Sequence, residues 1–289
     1  MALKTITLFD LAPGKVLLDR YKISGTSRHG GMSTAFQAED TKGKGACELQ
    51  LFPAALFETK KQAAEFARSM MSWMEVESAN VLRSREVHAL DDGTILLVTD
   101  LPPKSSLRDW RGDEVLDAAT VVDIGVQLCQ GLAAVHEEGL VHGDVKPHTI
   151  HVDDAKKKLS IVLVDGGITP GLWTAKHLGD KTALIGTPFY APVEQFGGES
   201  PDVQSDVYNV ATVLYELATG VLPWKGKSFL EVFQAKLQKA PPAMKTRAPK
   251  CDVPKELEAA ITSGLMADKR ERCKSAEELA KRLKAAKKG

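Results

Sequence analysis

Between residues 21 and 99 the chain alternates apolar and polar positions over short stretches, which is typical of strands with one buried face. The alternation predicts strands over residues 22–24, 34–38, 47–51, 86–90 and 94–99. Residues 60–74 differ, because Phe66, Met70 and Trp73 recur at helical spacing and predict an amphipathic helix. Asp91-Asp92-Gly93 is typical of a hairpin turn between the last two strands.

After Pro102-Pro103 the pattern changes from alternation to helical spacing. It predicts helices over residues 115–137, 205–219 and 275–286. Ser275 followed by Glu278 is a capping box, in which a hydroxyl and a carboxylate satisfy free N–H groups of the first turn. We therefore expect an α+β protein with a leader over residues 1–20, a strand-rich lobe over 21–101 and a helical lobe over 102–289.

Composition bears on the partners and the cellular compartment of the protein, but it does not indicate its activity. Lys plus Arg and Asp plus Glu both total 38, so bulk charge does not indicate a nucleic-acid partner. The four cysteines form no C-x-x-C pair, which favours free thiols in a reducing compartment. The sequence has neither an apolar run of about 18–20 residues nor a secretion signal at its start. We expect a cytoplasmic protein without a membrane segment.

Two short segments have the spacing of a known catalytic apparatus. Val141-His142-Gly143-Asp144-Val145-Lys146-Pro147-His148-Thr149 is followed by Val164-Asp165-Gly166-Gly167. This is the spacing of a protein-kinase catalytic loop and its metal-binding triplet. Other kinase motifs occur in the same order: Gly30-Gly31-Met32, Ser106-Leu107-Arg108-Asp109, Gly186-Thr187-Pro188, Ser205-Asp206-Val207-Tyr208 and a late Arg272.

From residue 21 to about 283 the chain resembles a bacterial, eukaryotic-like Ser/Thr protein kinase. The resemblance implies a two-lobed kinase fold in which Glu194 and Arg272 form a buried ion pair. It also implies that Asp206 supports the backbone of the catalytic loop and that His142 packs beneath it. These residues stabilise the fold in any such protein, so they do not by themselves indicate catalysis.

The resemblance assigns the catalytic roles to the second lobe. Asp144 stands where the base accepts a substrate hydroxyl proton, and Lys146 where a cation steadies the transferred phosphoryl group. Asp165 stands at a Mg²⁺ ligand position, and Thr149 replaces the Asn that holds a second metal ion. A single hydroxyl is a poorer ligand for a hard cation. Gly143 replaces an Arg that pairs with a phosphorylated activation loop in kinases.

The positions that hold ATP in kinases depart further from the pattern. Gln50 takes the position of the Lys that contacts the phosphates, and Ser69 that of its Glu partner. In the phosphate loop around Gly30 and Gly31, Arg28 and Ser33 occupy the first and third glycine positions.

The hinge also departs from the family pattern. With Thr99 as gatekeeper and Asp100 in the hinge, the adenine-binding N–H falls on Pro102, which has none. Together these replacements predict a degenerate nucleotide site in which binding of ATP and Mg²⁺ is impaired.

Other residues have a simpler interpretation or an open one. His148 and His151 lie near Asp153 and Asp154, but we interpret them as variable loop residues and not as metal ligands. In the activation segment, Thr174 and Thr182 are candidate phosphorylation sites, and Thr187 is a structural hydroxyl.

Three functions remain open from the sequence. The leading hypothesis is a pseudokinase, a protein-binding signalling module with little or no phosphotransfer. The second is a weakly active Ser/Thr kinase in which Arg28, Lys42 or Lys44 replaces the missing Lys. The third is a nucleotide sensor without turnover. Among similar proteins, pseudokinases are phosphorylated by true Ser/Thr kinases and recruit phosphothreonine-reading partners, which are the partners expected here.

Overall fold

The computed structural model describes residues 6, 8–29, 32–43, 45–155, 159–178, 188–237 and 240–287, without the side chains of Leu8, Phe9, His29 and Phe229. These residues form two compact units. The small unit comprises residues 1–77, 82–102 and 174–177, and the large unit comprises residues 78–81, 103–173 and 178–289.

The small unit contains a six-stranded antiparallel sheet in the order β1-β2-β3-β4-β6-β5. Its strands are β1 Val16–Leu17, β2 Tyr21–His29, β3 Thr34–Asp40, β4 Gly45–Phe52, β5 Ser84–Ala89 and β6 Ile95–Asp100. Each predicted strand is present, and β2 and β4 extend beyond the predicted limits. The hairpin turn at Asp92 is held by its carboxylate, which accepts hydrogen bonds from the backbone and hydroxyl of Thr94.

The predicted helix of the small unit is α1, Lys60–Ser72. It begins where the Thr59 hydroxyl accepts a hydrogen bond from the Gln62 N–H, and it buries Phe66 and Met70. The core beneath β2–β4 also includes Leu11 and Leu17, which come from the predicted leader. Residues of the predicted leader therefore contribute apolar surface to this core.

The large unit combines a small sheet with helices. Its strands β7 Ser105–Ser106, β8 Ile150–Asp153 and β9 Ser160–Leu163 pair in that order. The remaining helices are α2 Leu107–Arg111, α3 Ala118–Glu137, α4 Ile168–Ala175, α5 Val193–Phe196, α6 Val203–Thr219, α7 Phe229–Lys236, α8 Met244–Arg247, α9 Lys255–Gly264 and α10 Ala276–Ala286. The chain thus has the α+β architecture that the sequence predicted, with a strand-rich lobe and a helical lobe.

Helix α6 lies at the centre of the large unit, and every residue from Ser205 to Thr219 is buried. Its start is fixed by a capping box between Asp202 and Ser205, and it ends at Gly220, whose left-handed φ of 76° suits a glycine. Among the described residues, α3 is the one helix long and apolar enough to cross a membrane. Its apolar side chains, including Leu128 and Leu132, instead lie in the core of the large unit.

Two predicted contacts of the large unit are confirmed. Arg272 Nη1 and Nη2 donate to the two Glu194 carboxylate oxygens at 2.6 and 3.0 Å, and the Arg272 side chain is 0% exposed. Ser275 accepts a hydrogen bond from the Glu278 N–H. The Glu278 carboxylate, however, bonds to the Lys274 N–H, one residue earlier than a standard capping box requires.

Candidate active-site elements

The predicted catalytic loop is held from below by one buried carboxylate. Asp206, at the start of α6, accepts hydrogen bonds from the His142 and Gly143 N–H groups at 2.8 Å each. His136 Nε2 lies 2.9 Å from the same carboxylate. Asp206 is fully buried, so these donors replace the water that its charge has lost. The supporting role expected for Asp206 is therefore observed.

His142 connects this loop to the segment that carries Asp165. Its Nε2 donates to the Val164 carbonyl at 3.0 Å, and its own carbonyl accepts from the Gly167 N–H at 3.1 Å. Burial lowers the pKa of His142, although the carboxylates of Asp206, Asp144 and Asp165 oppose this effect. A neutral imidazole with its proton on Nε2 fits this contact.

Asp144 and Lys146 lie together on the loop surface. Lys146 Nζ is 2.5 Å from Asp144 Oδ2, and the side chains are 20% and 16% exposed. The Thr149 hydroxyl accepts from the Lys146 N–H and lies 2.8 Å from the Asp144 carbonyl, to which it can donate. Thr149 therefore closes the loop by bonding to its backbone.

Asp165 has a left-handed φ of 62°, which is unusual for a residue with a side chain. The Val164 N–H donates to the Thr149 carbonyl at 2.9 Å. This hydrogen bond brings the backbone next to Asp165 against Thr149, the other predicted metal position. No group of three His, Cys, Asp or Glu suited to a metal ion occurs in the described part of the chain. His151 Nδ1 lies 2.6 Å from the Pro103 carbonyl, consistent with a structural histidine.

Gly143 has a structural reason to be a glycine. It has a φ of +80°, and a Cβ at this position would lie 2.6 Å from the ring of Pro170 on α4. The Arg expected here in kinases would therefore collide with the helix that follows the Asp165 triplet. Helix α4 therefore packs against the catalytic loop at Gly143, the position that the resemblance assigns to an arginine.

The small unit contains an ion pair that the sequence did not reveal. Glu48 lies two residues before Gln50 on β4, so both side chains belong to the same face of the sheet. Glu48 is 0% exposed, and its carboxylate accepts hydrogen bonds from Arg28 Nε and Nη2 at 3.1 and 2.7 Å. Arg28 is therefore neither an exposed loop residue nor a spare cation.

Ser33, at the other predicted glycine position of the phosphate loop, also contacts a side chain of β4. Gln50 is 3% exposed and its Nε2 donates to Ser33 Oγ at 2.8 Å. Arg28 and Ser33, which replace two phosphate-loop glycines, thus contact Glu48 and Gln50 on β4. The side chains of the small unit bond to each other across the face where the resemblance puts a lysine and phosphates.

The structure also locates Lys42, a second proposed replacement cation. Lys42 lies in the turn after β3, and Ser33 directly precedes the strand, so the two are separated by the whole of Thr34–Asp40. At about 3.3 Å per residue this is roughly 20 Å. Lys42 is therefore poorly placed to replace the phosphate-contacting lysine, and Lys44 lies outside the described residues.

The predicted hinge residues bond within the small unit. The Thr99 hydroxyl donates to the Asp100 carbonyl at 2.9 Å, and the Asp100 carboxylate accepts from Arg85 Nε at 2.5 Å. Ser69 is half-buried on α1. Pro102, which has no N–H, ends the small unit, and its predicted place in the hinge remains a prediction.

Of the two candidate phosphorylation sites, Thr174 lies among the described residues. Thr174 is exposed near the end of α4. Gly30, Gly31, Thr182 and Thr187 lie outside the described residues.

Among the described residues of the small unit, those at the predicted phosphate-contacting positions do not fit the phosphates of ATP. Gln50 has no charge, and the guanidinium of Arg28 is already paired with a buried carboxylate. Glu48 adds a negative charge to a face where bound phosphate would need positive charge. In the large unit, Asp144, Lys146 and Asp165 retain side chains suited to phosphoryl transfer. Asp144, Lys146 and Asp165 thus keep the family's residue types, whereas Gln50 and Arg28 do not.

A protein-kinase-domain profile matches residues 29–283 of this chain. The chain belongs to the protein kinase domain family. Members of this family generally use ATP and Mg²⁺. The catalytic loop and its support by Asp206 were expected from the family resemblance. The Arg28–Glu48 and Ser33–Gln50 contacts were not, and they come from the structure of this chain.

Several bacterial Ser/Thr kinases are similar in sequence. The serine/threonine-protein kinase pkn3 of Myxococcus xanthus is 26% identical over 281 residues, covering 94% of this chain and 51% of that protein. PknB of Mycolicibacterium smegmatis is 29% identical over 275 residues, covering 91% of this chain and 42% of that protein. The chain therefore spans about half the length, or less, of these relatives.

The fold is also that of a solved kinase domain. The PknI kinase domain of Mycobacterium tuberculosis matches with a TM-score of 0.74 at 20% identity, covering 96% of this chain and 99% of that one. This similarity establishes the kinase fold.

Gly143→Ala should destabilise the protein for two reasons, the strain of a positive φ in a residue with a Cβ and overpacking against Pro170. Gly139 is a matched control, because it has a φ of +70° but no atom within 4 Å of an added Cβ. We expect Gly139→Ala to cost about 1–2 kcal/mol. Gly143→Ala should cost about 1–3 kcal/mol more, from overpacking against Pro170. Urea unfolding measures both, and equal losses would contradict the packing of α4 on the catalytic loop.

Removing Arg28 alone should destabilise the protein more than removing Arg28 and Glu48 together. Arg28→Ala leaves the buried Glu48 carboxylate unpaired and should cost about 3–5 kcal/mol. The double variant Arg28→Ala/Glu48→Ala removes both charges and should recover part of this loss. A double-mutant cycle from urea unfolding measures the coupling. Independent, additive effects would show that the ion pair does not form.

Proposed function

We propose that this kinase-family domain is a pseudokinase, a protein-binding signalling module with little or no phosphotransfer. The observation that carries the proposal is the pairing of the buried Glu48 with Arg28. Among the described residues at the predicted phosphate-contacting positions, the cation Arg28 is thereby paired with a carboxylate, and Gln50 carries no charge. Removing one electrostatic stabiliser from a catalytic site typically lowers the rate by roughly 10²–10³.

The packing at Gly143 supports a further difference from a regulated kinase. Without an arginine at this position, the catalytic loop lacks the cation that pairs with a phosphorylated activation segment. Phosphorylation at Thr174 or Thr182 would then create a docking site for another protein and would have no partner at Gly143. A true Ser/Thr kinase and a phosphothreonine-reading domain are the proposed partners, and the cytoplasm is the proposed location.

A weakly active Ser/Thr kinase is the second candidate. The contact between Asp144 and Lys146, and the conformation of Asp165, favour it, because these groups keep an arrangement suited to a base, a cation and a metal ligand. A nucleotide sensor without turnover is the third. Nucleotide binding and phosphotransfer, measured separately, distinguish the three candidates.

The pseudokinase proposal predicts that saturating ATP with Mg²⁺ leaves the melting temperature unchanged. A ligand at about 100 times its Kd would add about 2.7 kcal/mol of stability and raise the melting temperature by several degrees. Transfer of labelled γ-phosphate to a protein substrate should not exceed that of Asp144→Asn. A stabilisation lost in Asp165→Ala, together with transfer lost in Asp144→Asn, would instead establish an active kinase. Stabilisation without transfer would establish the sensor.

A further inference from the structure

The segment Pro188–Ala191 has each of its four backbone carbonyls held by a buried side chain. Lys236 Nζ, on α7, donates to the carbonyls of Pro188, Phe189 and Ala191 at 3.0, 3.0 and 2.5 Å. The remaining carbonyl, that of Tyr190, accepts from Asn209 Nδ2 at 2.9 Å. The backbone of this segment is therefore fixed from inside the large unit.

The side chain of Tyr190 adds a further attachment. Its hydroxyl donates to Glu216 Oε2 at 2.5 Å, and the other oxygen of Glu216 lies 3.1 Å from Arg111 Nη2. Burial and the negative charge of Glu216 raise the pKa of Tyr190, so the phenol stays protonated and donates. Phe189, in contrast, is 41% exposed. The segment thus holds its backbone rigidly and presents one aromatic side chain to solvent.

Lys236 is an unusual residue to find at the centre of this arrangement. Its side chain is 1% exposed, and lysine is almost never fully buried without a charged partner. Its ammonium lies 5.3 Å from the ring centroid of Tyr208 and 5.5 Å from that of Phe196, within the range of cation–π attraction. Neither contact is a direct ion pair.

The number of acceptors matches the protonated side chain. An ammonium has three N–H donors, and Lys236 contacts three carbonyls. A neutral amine has two donors and a lone pair, so one carbonyl would lose its hydrogen bond and face the lone pair. Loss of the proton would also remove the attraction to the two rings. The complete set of contacts therefore exists only while Lys236 is charged.

The surroundings of Lys236 make that proton easier to lose than in water. Burial lowers the pKa of Lys236 to about 7, and the carboxylate of Glu194 on α5 partly opposes this effect. Glu194 is neutralised by its ion pair with Arg272, and Lys269 lies 3.9 Å from it. Tyr208 on α6 is kept protonated, because burial raises its pKa.

We propose that Lys236 is a positioning residue whose protonation state determines how firmly residues 188–191 are held. The protonated side chain bonds to three carbonyls and fixes the backbone on either side of the exposed Phe189. The neutral side chain releases one carbonyl and loosens the segment. This role depends on neither nucleotide binding nor phosphotransfer, so it is independent of the proposed function.

Nuclear magnetic resonance of the whole chain tests the proposal directly. With lysine ε-carbons labelled, the Lys236 signal should titrate with a midpoint near 7, well below the ordinary lysine value of about 10.4. The exposed Lys227 is the site of the control variant. The backbone amides of Phe189, Tyr190 and Ala191 should shift with the Lys236 midpoint. A Lys236 midpoint near 10.4, or segment amides that do not follow it, would overturn the proposal.

Lys236→Met and Lys227→Met separate this role from a general effect of lysine loss. The amide titration near pH 7 should disappear in Lys236→Met and persist in Lys227→Met. If Lys236→Met does not fold, contacts of the Lys236 ε-protons with the rings of Tyr208 and Phe196 assign the signal in the unaltered protein. A titration of residues 189–191 that persists in a folded Lys236→Met would exclude Lys236 as its source.

The stability of the protein provides a second measurement with a defined sign. The folded protein releases the Lys236 proton at a lower pH than the unfolded chain, whose lysine pKa is 10.5. Between about pH 7 and 10.5 the unfolded chain therefore binds more protons, and stability should rise with pH. Relative to Lys236→Met, the unaltered protein should gain stability across this range. A difference that is constant with pH would contradict the inference.

Discussion

A charge removed from water must find opposite charge or hydrogen-bond partners inside the protein, and the arrangement of this chain depends on that constraint. Asp206 satisfies it with backbone N–H groups of the catalytic loop, and thereby fixes the loop. Glu194 satisfies it with Arg272, which joins α5 to the segment before α10. In the small unit, Glu48 satisfies it with Arg28.

These solutions have different consequences for function. In the large unit, the buried Asp206 holds the backbone of the predicted catalytic loop, on which Asp144 and Lys146 lie. The buried charge of the small unit instead draws the phosphate-loop arginine into an ion pair within the lobe. The same physical requirement is thus met by backbone N–H groups around Asp206 and by the Arg28 side chain around Glu48.

Gly143 and Lys236 show how the activation segment is integrated with this framework. Helix α4 packs on Gly143 through Pro170, and residues 188–191 are attached to α6 and α7 through Asn209 and Lys236. Residues 188–191, held in this way, present Phe189 with little ordering cost on binding.

The sequence by itself determined the features that depend on neighbouring residues. Strand alternation, the cap at Ser275, and the spacing of the motifs around Asp144 and Asp165 are local patterns, and they predicted the α+β fold and the kinase family. They also predicted that Gln50 and Thr149 replace family residues. The tertiary structure alone decided what those replacements do, because Arg28 and Glu48 are 20 residues apart and Lys236 lies 45 residues from the Ala191 carbonyl. Such partners are selected by strand register and helix packing, and no local pattern in the chain encodes their contact. A glutamate at a buried strand position, with an arginine in place of a loop glycine, was the one available signal for the first of them.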